Sequence, residues 1–225
     1  MGRILICIWG CLLCVYCAPA HAGAWLQDQG RTFLAASSTT RLTRDGLMAQ
    51  GEGAVYGEHG LSKTLTFGAD VNVTADSYGH AIGFLRRPIG PQTKPVRLAY
   101  EAGAGARRMN GEWDPVVRLG LSFGHGITRP VGYGWFGLDS SVEIGTTQGD
   151  LSAKLDATLG LPLSARLLTL VQIETTHWPD NTSVVAITPS LLWEFRADRF
   201  VKLGIEARSA QTDTLGLRIG FWNEF

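Results

Sequence analysis

Apolar and polar residues alternate with a period of two along most of this chain. From Thr64 to Thr74, Leu65, Phe67, Ala69, Val71 and Val73 share one parity, and Thr66, Gly68, Asp70 and Asn72 share the other. The same division runs through Val96 to Arg107, with Val96, Leu98, Tyr100, Ala102, Ala104 and Ala106 set against Arg97, Glu101, Gly103, Gly105 and Arg107. It returns in Val117–Phe123, Leu151–Leu161, Val201–Arg208 and Leu215–Phe225, with turn residues between segments. A β-strand puts successive side chains on opposite faces, so each segment reads as a strand with one oily face. The pattern predicts twelve strands, at about 31–43, 52–61, 63–75, 79–88, 96–108, 115–127, 132–147, 150–162, 166–177, 183–196, 199–210 and 213–225, with ten or fourteen as the neighbouring even counts.

A helical membrane protein is excluded beyond the first 22 residues. The longest later run without Asp, Glu, Lys or Arg is Asn181–Trp193, 13 residues that include Pro189, whereas a spanning helix needs about 20 apolar residues. The first 22 residues read as a cleaved signal peptide: a basic start at Arg3, an apolar run from Ile4 to Tyr16, and Ala20-His21-Ala22 as the cleavage site. A lipoprotein signal is the competing reading, because Cys11, Cys14 and Cys17 sit in or beside that run, but none has the approach sequence that lipidation requires. All four cysteines (Cys7, Cys11, Cys14, Cys17) fall in this segment. Residues 23–225 then form a single domain without a thiol, which removes disulfides and thiolate metal sites. Only Arg3 is lost from 20 basic and 20 acidic residues, for a formal net charge of −1, and so no basic surface for nucleic acid is expected.

The last segment narrows the fold. Leu215, Leu217, Ile219, Phe221 and the terminal Phe225 stand at every second place, with Asn223 the exception. It resembles the closing strand of Gram-negative outer-membrane β-barrel proteins, and the Gly23-Ala24-Trp25 opening is similar to those of uncharacterised proteobacterial outer-membrane proteins. The resemblance implies an all-β, transmembrane, up-and-down antiparallel barrel in outer-membrane lipid. It also implies handling by periplasmic chaperones and barrel-insertion machinery, with Leu217, Ile219, Phe221 and Phe225 as the insertion signal. Oligomeric state is not indicated.

An even strand count brings both termini to the periplasm. The periplasmic links would be Leu61-Ser62-Lys63, Arg87–Lys94, Thr128-Arg129-Pro130, Pro162–Ala165 and Ala197-Asp198. The outer ones would include Thr43–Gly51, Met109–Pro115 and Trp178–Ser183, none long enough to plug the lumen. Phe84, Tyr133, Trp135, Trp193, Phe195, Phe200, Trp222 and Phe225 are expected as an aromatic belt at the periplasmic strand ends, with Trp113 and Trp178 at the outer rim.

A lysine or arginine facing lipid at mid-bilayer costs about 2–4 kcal/mol, so parity turns the strand charges inward. The expected lumen set is Asp70, Arg97, Glu101, Arg107, Arg118, Asp139, Glu143, Lys154, Asp156, Glu174, Glu194, Arg196, Lys202, Glu206, Arg208 and Arg218, with Glu224 at the end. With a Gln148-Gly149 hairpin tip, Glu143 would face Lys154, Ser141 Asp156 and Val142 Leu155. With a turn near Thr212, Glu206 would face Arg218, Lys202 Trp222 and Ile205 Ile219. A narrow passive channel for small hydrophilic solutes is one reading of this interior. A structural or adhesive barrel closed by its own ion pairs is another, and a lipid-modifying enzyme at the outer rim is a third.

Catalytic signals are sparse. Gly120-Leu121-Ser122-Phe123-Gly124, followed by His125, has the G-x-S-x-G form, but that elbow needs a strand, a sharp turn and a helix, and here it lies inside one alternating strand. His80 and His177, with Asp76, Ser77 and Asp180 nearby, are the rim candidates, each also readable as a solvated loop histidine alongside His59 and His125. No zinc spacing occurs. Asp76, Asp150, Asp180 and Asp213 could meet calcium but read first as turn residues, and neither a cofactor nor a resident metal is expected.

Overall fold

The computed structural model describes residues 23–42, 48–75, 78–109, 111–209 and 215–225, with main chain alone at 48–50. The proposed signal segment with its cysteines, Asp76, Ser77, Thr212 and Asp213 lie outside the described residues. Twelve strands follow one another: β1 (Thr32–Leu42), β2 (Met48–Ser62), β3 (Leu65–Thr74), β4 (Gly79–Pro88), β5 (Val96–Met109), β6 (Glu112–Arg129), β7 (Gly132–Gly145), β8 (Leu151–Pro162), β9 (Leu167–His177), β10 (Ser183–Arg196), β11 (Arg199–Arg208) and β12 (Leu215–Glu224). Each pairs antiparallel with its neighbours, and β12 pairs with β1 from Phe33↔Glu224 to Leu42↔Leu215, closing the barrel. Closure leaves no unpaired strand edge, the condition for backbone to stand in hydrocarbon.

The burial pattern is that of a soluble protein turned inside out. Leu119, Leu121, Ile205 and Phe221 are 56–61% exposed, while their inward neighbours Arg118, Glu206 and Arg218 are 9% exposed or less. An outer wall this rich in exposed aliphatic side chains is far larger than the apolar patches that water-soluble monomers tolerate, and it matches the lipid face of a spanning barrel.

Two expected registers are corrected. Across β7 and β8, Glu143 faces Ser152, Ser141 faces Lys154, Val142 faces Ala153 and Asp139 faces Asp156. The reason is the turn, which is wider than a two-residue tip. Thr146 N and Oγ1 both donate to Pro115 O, Thr147 N donates to Asp114 Oδ1, and Gly149 N returns to Gly145 O. Across β11 and β12, Gly204 faces Arg218, Lys202 faces Gly220, Phe200 faces Trp222 and Ile205 faces Leu217. Both slips are of even order, so every side chain keeps its face.

The aromatic belt is also corrected. Tyr133, Trp193, Phe195 and Phe225 are exposed on the outside, and Trp113 is exposed near the opposite rim. Phe84, Trp135, Phe200 and Trp222 instead turn into the barrel, where Trp135, Leu170 and Leu192 form a buried cluster with Trp25, Leu168, Phe200 and Trp222 packed on it. Glycines on adjacent strands make the room: a Cβ on Gly68 would fall 2.1 Å from the Phe84 ring, and one on Gly160 2.5 Å from Trp135. The end of the interior at which both strand termini of the barrel lie, β1's start and β12's end, is thus an apolar floor, not a wet pore mouth.

Candidate channel lumen

Above that floor the interior is charged. Two chambers of about 330 and 340 Å³ share Glu52, Asn72, Arg118, Ser141, Lys154, Glu174 and Arg218 as lining, so they meet at one charged waist. Around the waist, Arg118 donates to Glu143 at 2.7 and 3.1 Å and to Asp70 at 2.8 Å. Lys154 lies 2.9 Å from Asp156 and 3.8 Å from Glu174. Arg218 reaches Glu174 at 3.0 Å and Glu206 at 2.5 Å, and Arg41 reaches Glu206 at 2.6 Å and also binds Glu52. Asn72 closes on Glu52 at 2.7 Å. Each of these four cations touches two carboxylates, which offsets the cost of taking its charge out of water.

The inferred lumen charges separate into three groups. Asp70, Glu101, Arg118, Asp139, Lys154, Asp156, Glu174, Lys202 and Arg218 line the inner chamber, and Glu143, Glu206 and Arg208 line the outer one. Arg107 is buried near the outer end, where it donates to both oxygens of Asp150 at 2.8 Å and to Ser152 at 2.7 Å. Arg97, Glu194, Arg196 and Glu224 sit at the rim nearest the start of β1 and the end of β12: Arg97 meets Gln92, Glu194 accepts from Asp198 N, and Arg31 lies 3.8 Å from Glu224. Arg196 is exposed beyond a bulge between Glu194 and Arg196.

Four interior charges escaped the sequence reading: Arg41, Glu52, Glu58 and Arg86. The first three lie on β1 and β2, whose Ala, Ser, Thr and Gly residues give little oily contrast. The usable signal was parity, since Glu52, Tyr56 and Glu58 all alternate with Val55. Arg86 was hidden because its inward neighbours Ile82 and Phe84 are apolar. It binds Glu58 and donates to Glu101 at 2.7 Å, below the waist.

The outer mouth is bridged by two rings. Tyr78, ahead of β4, and Trp178, after β9, pack edge to face at 4.8 Å from opposite walls. Tyr78 Oη lies 2.7 Å from His80 Nδ1, and His80 Nε2 lies 3.1 Å from Asp70. Burial pushes the Tyr78 hydroxyl well above its usual pKa. His80 is thus held between the Tyr78 hydroxyl on one side of its ring and the Asp70 carboxylate on the other. The loop-histidine reading of His80 is therefore corrected: it is buried on β4 and faces the lumen. His177 is exposed, its Nδ1 2.9 Å from Ser183 Oγ in a cross-strand pair. Asp180 accepts from Thr182 N and Oγ1, bonds that hold its carboxyl below the ordinary value and mark it as a turn residue.

The end of the barrel where β1 begins holds the feature that the sequence did not announce. Residues 23–31 fold up into the barrel rather than trailing from it. The segment enters beside β2, with Gly30 N donating to Gly60 O at 2.8 Å and Gly60 N to Arg31 O at 3.0 Å. It crosses the interior through Gln27, whose main-chain N donates to Thr66 Oγ1 and whose side chain donates to Glu58. Ala24 is wholly buried, and Trp25 joins the apolar floor. Its landing place is the G-x-S-x-G stretch of β6, where Gly120, Ser122 and Gly124 face inward. A Cβ on Gly124 would fall 2.3 Å from Trp25, and one on Gly23 would fall 3.1 Å from Ser122 Oγ. No outer loop enters the lumen in the described residues; the N-terminal segment occupies part of it instead.

No protein-family model and no curated protein matches the sequence. Solved structures do: the chain is similar to the KdgM porin (8% identity, 85% of this chain and 99% of that one, TM-score 0.59). It is likewise similar to the COG4313 outer membrane channel from Pseudomonas putida F1 (9% identity, 91% and 99%, TM-score 0.59). At these identities the likeness establishes a shared architecture: a closed, twelve-stranded antiparallel barrel of the outer-membrane type.

Proposed function

We propose that the protein is a narrow outer-membrane channel for small hydrophilic solutes, closed at its periplasmic end by residues 23–31. In this reading a signal peptide cleaved after Ala22 exports it to a Gram-negative outer membrane. The observation that carries the proposal is the pair of adjoining chambers lined by charged residues, which lead from the outer mouth through the shared waist to a stopper that is not part of the wall. A stopper of non-strand chain can leave without exposing an unpaired strand edge, so the barrel survives its removal. The barrel architecture shared with KdgM and the COG4313 channel supports the same reading. Opposed charges at the waist give no net preference for cations or anions.

Planar bilayers test this. The chain lacking residues 23–30 should conduct in steps well above those of the full mature protein, and silence of both at all voltages would remove the channel. The ion pairs of the waist favour a second reading, a structural barrel sealed by its own charges. In that case Arg118→Ala or Arg218→Ala lowers stability and leaves permeability unchanged.

A further inference from the structure

Asp139, on β7, is an interior carboxylate with a capacity left over: its Oδ1 is buried and accepts no hydrogen bond among the described residues. The main chain of Gly23 lies against it, since a Cβ there would fall 2.2 Å from that oxygen. A side chain at this position would have to push the Asp139 carboxylate aside. The surroundings are also short of positive charge. Glu58, Glu101 and Asp156 all act on Asp139, the guanidinium of Arg86 is bound to Glu58 and Glu101 rather than to Asp139, and Gln27 and Tyr56 offer Glu58 only neutral hydrogens.

We propose that this spot is a binding site for the chain's own new amino terminus. Hydrolysis of the Ala22–Gly23 bond adds water across it, giving Ala22 a carboxylate and Gly23 a free amine. An α-amine has an ordinary pKa near 8, so it is an ammonium at neutral pH. That ammonium donates to Asp139 Oδ1, with Ser122 Oγ as a second acceptor, and gives Asp139 a cation of its own. Before cleavage the same nitrogen is an uncharged amide with one hydrogen, and the segment has no such anchor. Processing therefore latches the stopper inside the lumen. The inference rests on cleavage after Ala22, and not on what the lumen conducts.

The test begins with the intact mass of the purified protein, which should correspond to a chain starting at Gly23. The folded protein is then acetylated near pH 7 and the modification at Gly23 is followed by peptide mapping. The amine should react at least tenfold more slowly in the folded wild type than in the boiled chain. Asp139→Asn should recover most of that difference while the barrel still shifts on gels when heated. Should Asp139→Asn fail to fold, Gly23→Ala leaves all twelve strands intact and should raise the rate likewise. A mature chain beginning at another residue overturns the latch by removing its premise. A chain that begins at Gly23 but reacts equally in folded and boiled states, or is equally protected with and without the Asp139 carboxylate, overturns the latch and leaves the processing reading standing.

Discussion

Arg118 and Leu119 are neighbours on β6 with opposite requirements, and two substitutions separate them. Arg118→Ala leaves Glu143 buried without its guanidinium and takes from Asp70 one of two neighbours, His80 being the other, for an expected loss of about 3–5 kcal/mol. Leu119→Lys leaves the lumen untouched but puts an ammonium into lipid, for about 2–4 kcal/mol. Urea titration of the barrel refolded into lipid vesicles reads both; a Leu119→Lys variant as stable as wild type would place that face in water. Parity made most lumen charges legible, because Asp70, Glu101, Arg107 and Arg118 each alternate with clearly apolar residues. Where the outward face is Ala, Gly or Ser, as around Arg41 and Glu52, or where the inward face is itself apolar, as around Arg86, alternation carries too little contrast. Which cation takes which carboxylate was not legible at all. Arg118 with Glu143 is a direct cross-strand pair, but Arg118 with Asp70 and Arg218 with Glu174 span strands that do not touch.

At the scale of elements, strand order and approximate strand bounds follow from pattern, whereas registers depend on how each turn closes. The Thr146–Gly149 turn is pulled toward the start of β6 by Pro115 and Asp114, contacts that no two-residue hairpin rule contains. The N-terminal stopper was illegible for a related reason. Residues 23–31 have no period of their own, and their binding site exists only once β2, β3, β6 and β7 have curved around them. A glycine on the wall should control it: Gly124→Leu places carbon where Trp25 lies, so the segment should be expelled with the barrel intact. Trypsin should then cut after Arg31 several-fold faster than in wild type, and unchanged cleavage would detach Gly124 from the seat of the stopper.

For the whole molecule, the decisive property is a sheet that seals on itself, with hydrocarbon on one side and paired charge on the other. The fold class and the strand count were both readable, because twelve separate strands each repeat the same constraint. An open or closed lumen was not, since that depends on an apolar floor of Trp135, Leu170, Leu192 and Trp25 gathered from distant parts of the chain. The most direct test uses the absence of cysteine after residue 22. Single thiols at Leu121→Cys and Ser122→Cys are exposed in vesicles to a lipid-soluble and a charged, membrane-impermeant maleimide. The thiol at 121 should react with the lipid-soluble reagent alone. The one at 122 should resist both in the full mature chain and accept the charged reagent once residues 23–30 are deleted. Equal labelling of the two positions by the charged reagent would contradict the barrel, and a position 122 equally reactive with and without the segment would contradict its plug.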